Sequence, residues 1–315
     1  MQLLRDGRKA ARLRDAHKNL HCFESVHCCR LCNKVMNKSG FFNRVVVGRV
    51  TGMNTKPLPS LFVPHGSPAF ALAPGVAGAR MAEMAKTLST VRALVVISPH
   101  WETKEPTVGA APTLETIHDF YGFDRRLYEI RYPAAGSPAA ASEVAKNLAQ
   151  AGFKVDTDFE RGLDHGAWVP LMHMFPEADV PVVSLSVQHH GGPQHAYQIG
   201  QALAGLREQG FLIVGSGNLT HNLNDWRNAM IHGESTPAYV HEFPDWVAER
   251  LRAGDIQALL NYRRLHSSGP RAHPRDEHFL PFFTALGAAG EHFKAHAFYR
   301  GVSDVVLAMD GYLFH

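Results

Sequence analysis

Four short apolar runs, LFV (61–63), ALVVI (93–97), VPVVSLSV (180–187) and FLIV (211–214), alternate with stretches that read as helices. This alternation restricts the possible folds more than any other feature of the chain. A strand that is apolar throughout is buried on both faces, and such strands separated by helices build a parallel sheet covered on both sides. Helices are predicted over 78–88, 137–151, 168–174, 194–209, 237–252 and 276–287, with a further strand over 153–157. Ser137-Pro138 opens its helix as a serine N-cap followed by proline at the first position. Gly210 ends the helix before FLIV. The expected fold class is therefore α/β: a single three-layer domain over 53–315, with a largely parallel or mixed central sheet covered by helices. No internal repeat or low-complexity linker divides it.

The strands end unusually. LFV runs into Pro64-His65-Gly66, ALVVI into Ser98-Pro99-His100, and FLIV reaches His221 after the six residues GSGNLT. In sheets of this kind ligands collect beyond the carboxyl ends of the strands. One buried histidine is most often a satisfied core residue. Three at equivalent strand ends point instead to a transition-metal site, because neutral imidazole suits zinc, iron and copper. Gly66, Gly215 and Gly217 fit turns in which backbone approaches a ligand closely. Gly215-Ser216-Gly217-Asn218 is neither a nucleophile elbow nor a phosphate loop, since it lacks both patterns.

The formal charge of +3 is too small to argue for nucleic acid, and no apolar run approaches the ~20 residues of a membrane span. That charge is unevenly spread. Residues 1–52 carry 11 basic against 3 acidic side chains, and the remaining 263 carry 21 against 26. All four cysteines (Cys22, Cys28, Cys29, Cys32) fall in the first segment, while 17 of the 20 histidines lie after it. Cys29-x2-Cys32 has the spacing of half a zinc knot, but no second pair follows. An organelle-targeting reading is weakened by Asp6, Asp15 and Glu24. The segment is read as a basic extension outside the fold, with Met53 as a possible biological start. A cysteine-free main domain is compatible with a reducing compartment, so the expected location is cytoplasmic.

The stretches PSLFVPHGSP (59–68), VVISPHW (95–101), IHDFYGFDRRLYEIRYPAAGSP (117–138), GLDHGAWVPLMHMFPEADVPVVSLSV (162–187), VGSGNLTHNL (214–223) and DEHFLPFF (276–283) together resemble the class III extradiol ring-cleavage dioxygenases. Within them the likeness is to the 4,5-DOPA dioxygenase branch of the LigB-like superfamily. It extends over nearly all of 57–315 in unbroken order. The resemblance implies a mononuclear Fe(II) or Zn(II) site and O2-dependent cleavage of a catechol such as DOPA. It puts His65 and His100 on two metal ligands and His278 on the third. It puts His221 on a histidine beside the metal that serves as a ligand in some members and as the acid/base in others. Related enzymes complete the site with a glutamate, so Glu277 competes with His278 for the third place.

Such chemistry needs open coordination positions for substrate and dioxygen, and a base that takes a phenolic proton and later returns one. His221 is the candidate for that proton transfer and His165 a second donor; the plainer role for His165 is a turn histidine held by Asp164. His118, Asp119, Phe120 and Tyr121, with Phe123, form a loop suited to holding a flat aromatic substrate. The expected partners are thus a small catechol and O2, with no nucleic acid and no membrane. His189, His190 and His273 are expected to be exposed, and Tyr239 and Trp246 to face the core. Two other functions use the same residues: a zinc hydrolase that activates water without O2, and a non-catalytic binding protein on the same scaffold.

Overall fold

A computed structural model describes residues 56–315. The expectations for residues 1–52 lie outside the described residues. The first half of the described chain runs β1 (Ser60–Pro64), α1 (Gly75–Ala85), β2 (Ala93–Glu102), β3 (Thr107–Gly109), α2 (Pro138–Gln150), β4 (Asp156–Asp158), α3 (His165–Met174) and β5 (Val182–Val187). There follow α4 (Gly192–Leu203), β6 (Phe211–Gly217), α5 (Leu223–His232), α6 (Tyr239–Ala253) and three short helices, α7 (Ile256–Leu260), α8 (Tyr262–Leu265) and α9 (Gly269–Ala272). The chain closes with α10 (Leu280–Ala289), β7 (Ala295–Tyr299), β8 (Val302–Ser303), β9 (Leu307–Ala308) and β10 (Gly311–Phe314).

Eight strands form one sheet in the order β4-β3-β5-β2-β6-β1-β10-β7. The central four, β5, β2, β6 and β1, are parallel. They are the four apolar runs of the sequence, each buried along its whole length apart from the end of β2. Helices cover both faces: α10 and α4 pack together with α10 against β6 and β1, while α1 and α3 pack together with α3 against β2 and β6. Helix α10 is apolar all round and buried from Leu280 to Ala288, as a helix with no polar face must be. No described helix is long and apolar enough to cross a membrane.

Several expectations are corrected. The helix predicted over 276–287 begins only at Leu280, because Pro281 takes its first turn, and Asp276–Phe279 is a separate turn. The strand predicted over 153–157 shrinks to the edge strand β4. The helix predicted over 194–209 changes to a 3-10 turn over Ala204–Gln209 before its left-handed Gly210 cap. His273 is not exposed: it is fully buried, stacked on Phe279, with Nε2 donating to the Leu219 carbonyl at 2.8 Å. His189 is half-buried and pairs with Asp276 at 3.1 Å, while His190 is exposed as expected. Tyr239 is buried and Trp246 packs against the core.

Candidate metal centre

The strand order explains how distant histidines meet. β6 lies between β1 and β2, so the carboxyl ends of all three open side by side. His65 follows β1 directly, and Gly66 turns the chain away at φ 62, a left-handed conformation that glycine adopts without a Cβ clash. His100 lies inside β2 rather than beyond it. There the pairing with β5 breaks between Ile97 and Glu102, around a proline that has no N–H to donate. His278 comes from the turn before α10, which lies so close to β6 that a Cβ on Gly217 would sit 2.2 Å from the His278 carbonyl oxygen. His165 opens α3, whose N-cap Asp164 is itself held by Ser98 Oγ at 2.5 Å and Arg161 Nη2 at 2.7 Å. β6 runs on to Gly217, so only three residues separate it from His221, whose N–H donates to the Ala272 carbonyl at 2.8 Å.

Five imidazoles converge. Ring centroids of His65, His100 and His278 are 5.2, 5.3 and 5.0 Å apart pairwise. His165 packs on His100 at 4.0 Å, and His221 stacks nearly parallel on His278 at 3.5 Å. Two sets of metal-capable atoms each fall within 4.8 Å: His65, His100 and His165, and His221, Glu277 and His278.

Hydrogen bonds assign the proton to Nδ1 in His65 and His278, and an acidic neighbour favours the same tautomer in His100. Ser216 Oγ donates to the Gly166 carbonyl, so toward His65 it can only accept, and His65 Nδ1 donates to it at 3.0 Å. His100 Nδ1 faces Asp119 Oδ2 at 3.5 Å. His278 Nδ1 donates to Glu277 Oε1 at 2.8 Å. Each ring is left with an unprotonated Nε2. The bare Nε2 atoms of His65 and His100 face each other at 3.4 Å. Two imidazole nitrogens about 2.0–2.1 Å from one ion at a tetrahedral angle would stand about 3.4 Å apart. Glu277 Oε2 is also buried without a hydrogen-bond partner, with the Arg275 guanidinium Nε 3.8 Å away as its nearest cation among the described residues. The donor set and its acceptor-held Nδ1 atoms fit a divalent metal.

Burial, and then the neighbouring imidazoles, hold His65 and His278 well below the usual histidine value. The same causes bring His221 to about 3. Burial and His165 bring His100 to about 4, against the opposing pull of Asp164 and Asp119. His273, buried away from the cluster, is lowered to about 3, mainly by burial. Burial alone would raise the Asp119 carboxyl, but its hydrogen bonds and charge pairing with His165 outweigh that and lower it to about 2. In the unfolded chain these histidines take up protons near pH 6.5. Between pH 6.5 and about 3 the unfolded state therefore binds more protons than the folded one, and stability rises with pH across that window. The melting temperature of metal-free protein is expected to fall steeply as pH is lowered from 6.5 to 4; a flat profile would contradict the buried neutral cluster.

A cavity of about 310 Å3 opens onto these rings. Of the residues expected to bind substrate, only Phe120 lines it; Phe123 from the same loop does so too. His118 instead contacts the Ile130 carbonyl through Nε2, and Tyr121 is 90% exposed. Asp119 is not a wall residue: its Oδ1 accepts from both the N–H and Nδ1 of His165 at 2.9 Å while Oδ2 faces His100. His165 is thus held by Asp119, not by Asp164. The sequence reading missed Ser216, Trp226 and Asp304. Ser216 was visible inside GSGN, but its partners lie 151 and 50 residues away.

The family described as "Catalytic LigB subunit of aromatic ring-opening dioxygenase" matches residues 77–309. Over 259 residues the chain is 40% identical to a 4,5-DOPA dioxygenase extradiol of Beta vulgaris, covering 81% of this chain and 96% of that protein. A protein of the same name from Escherichia coli (strain K12) is 38% identical over 240 residues, 75% and 87% of the two chains. The crystal structure of an uncharacterized protein from Escherichia coli K12 matches with a TM-score of 0.67 at 32% identity, covering 81% of this chain and 99% of that one. The chain belongs to this family of metal-dependent aromatic ring-opening dioxygenases.

Proposed function

We propose that this chain opens a catechol such as DOPA by the extradiol route, consuming O2, with one Fe(II) or Zn(II) ion held by His65, His100 and His278. The observations that support the ligand assignment are the Nε2 atoms of His65 and His100 facing each other at 3.4 Å and the His278 ring lying 5.3 and 5.0 Å from theirs, with Ser216, Asp119 and Glu277 beside the three Nδ1 atoms. DOPA is the catechol in the names of the relatives from Beta vulgaris and Escherichia coli. The bound metal supplies open coordination positions for the catecholate and for dioxygen. His221 lines the cavity and is assigned the phenolic proton; being neutral it can accept one and later return it. His165, oriented by Asp119, is assigned a hydrogen bond to substrate oxygen. Phe120, Phe123 and Trp226 present aromatic surface for the ring and keep water from it. A cytoplasmic location is part of this reading, supported by the absence of cysteine after residue 52.

The test is anaerobic reconstitution with Fe(II), followed by a panel of catechols in air with O2 uptake and product absorbance recorded together. One O2 consumed per ring opened is expected. Turnover that persists without O2 would favour the zinc hydrolase, and protein that neither holds metal nor turns over would favour a binding role.

A further inference from the structure

We propose that Asp304 makes the site selective for catechols whose side chain carries an ammonium group; the inference rests on the ring-opening function proposed above. The cavity has imidazoles and aromatic rings in its walls, and among the described residues no lysine or arginine lines it. Two acidic residues do. Glu277 already accepts from His278 through Oε1. Asp304 stands at the exposed tip between β8 and β9, where two hydroxyls hold it. Ser67 Oγ donates to its Oδ2 at 3.1 Å and Ser303 Oγ to the same oxygen at 3.0 Å. Its Oδ1 has no protein partner, and no basic side chain pairs with it, among the described residues.

The tip itself is unusual. Asp304 has φ 48 and the β-branched Val305 φ 65, both in the left-handed region that such residues seldom adopt. The hairpin thus keeps a carboxylate on the cavity at some conformational cost, fixed by two hydroxyls and unneutralised by any described residue. A cationic group on the ligand is its natural complement. A side chain whose only charge is a carboxylate would find no lysine or arginine to meet it among the described residues, and Asp304 would repel it, whereas DOPA brings an ammonium beside its carboxylate.

Two catechols of similar shape separate these cases: dopamine, which ends in an ammonium, and 3-(3,4-dihydroxyphenyl)propionate, which ends in a carboxylate. With Fe(II)-loaded protein, kcat/KM is expected to favour dopamine by about tenfold or more, the scale of a charge-assisted hydrogen bond. In Asp304→Asn that preference should collapse to within about twofold, through KM for dopamine and not through kcat. Asparagine tolerates left-handed backbone, so the substitution removes the charge and leaves the turn. Anaerobic titration of tryptophan fluorescence with the same two compounds should give the same ratio of Kd values without turnover. Equal or better use of the propionate by the wild type, or an equal loss for both compounds in Asp304→Asn, would overturn the proposal. If no catechol at all is opened, the ring-opening reading fails, and the anaerobic Kd ratio still decides the role of Asp304.

Discussion

His278→Ala is expected to yield folded protein with a small fraction of the wild-type metal and no measurable ring opening. His278 is 5% exposed, its Nδ1 is engaged by Glu277, and its ring faces both His65 and His100. Removing an outer partner of a ligand typically costs about 10–100-fold in metal affinity, and removing one of three ligands should cost more. Metal affinity should therefore fall by more than about 100-fold. His65→Ala and His100→Ala should behave alike, because each supplies one of the converging Nε2 atoms. His165→Ala serves as the contrast: its Nδ1 is tied to Asp119, and it should lose substrate orientation while keeping metal. Metal analysis of these four variants and of Glu277→Ala, with circular dichroism to confirm folding, checks the assignment. If Glu277→Ala depletes the metal while His278→Ala does not, the carboxylate is the third ligand. If His165→Ala depletes it and His278→Ala does not, the site is formed by His65, His100 and His165.

His221→Ala should do the opposite, losing turnover and keeping metal. Its ring stacks on His278 at 3.5 Å and lines the cavity, and Glu277 Oε1 is 4.0 Å from its Nδ1, beyond a hydrogen bond. A positioned acid/base contributes about 10²–10⁴-fold, and a loss of that size in kcat is expected. Glutamine at this position should do no better, since an amide cannot accept and return a proton near neutral pH. Catechol should still bind, because the aromatic walls are untouched. Should His221→Ala be purified without metal, His221 is a fourth ligand and the proton passes to His165.

The frame of this fold was legible because its four central strands are apolar along their length, a pattern that only burial on both faces produces. His65 and His100 could be found from the ends of those runs. His278 could not, and came into view only through the family resemblance: the apolar pattern of α10 extends back through Phe279, so DEHF looked like the start of a helix. The terminal strands β8 and β9, two residues each, are too short to show a period. Helix α5 was missed because Ala229 is its only buried residue. Asp119 was misplaced for a different reason. Among three aromatics it read as part of a pocket wall, but the direction of its carboxylate is set by His165, 46 residues away in sequence. Ser216 shows the same limit, since a serine between two glycines gives no sign of which imidazole it will orient.

The central claim, one metal on three imidazole Nε2 atoms, is tested most directly by X-ray absorption spectroscopy at the metal edge of the loaded protein. The account predicts three imidazoles in the scattering pattern, with metal–nitrogen distances of about 2.0–2.1 Å if the metal is zinc. Two imidazoles with a carboxylate, or four imidazoles, would contradict it.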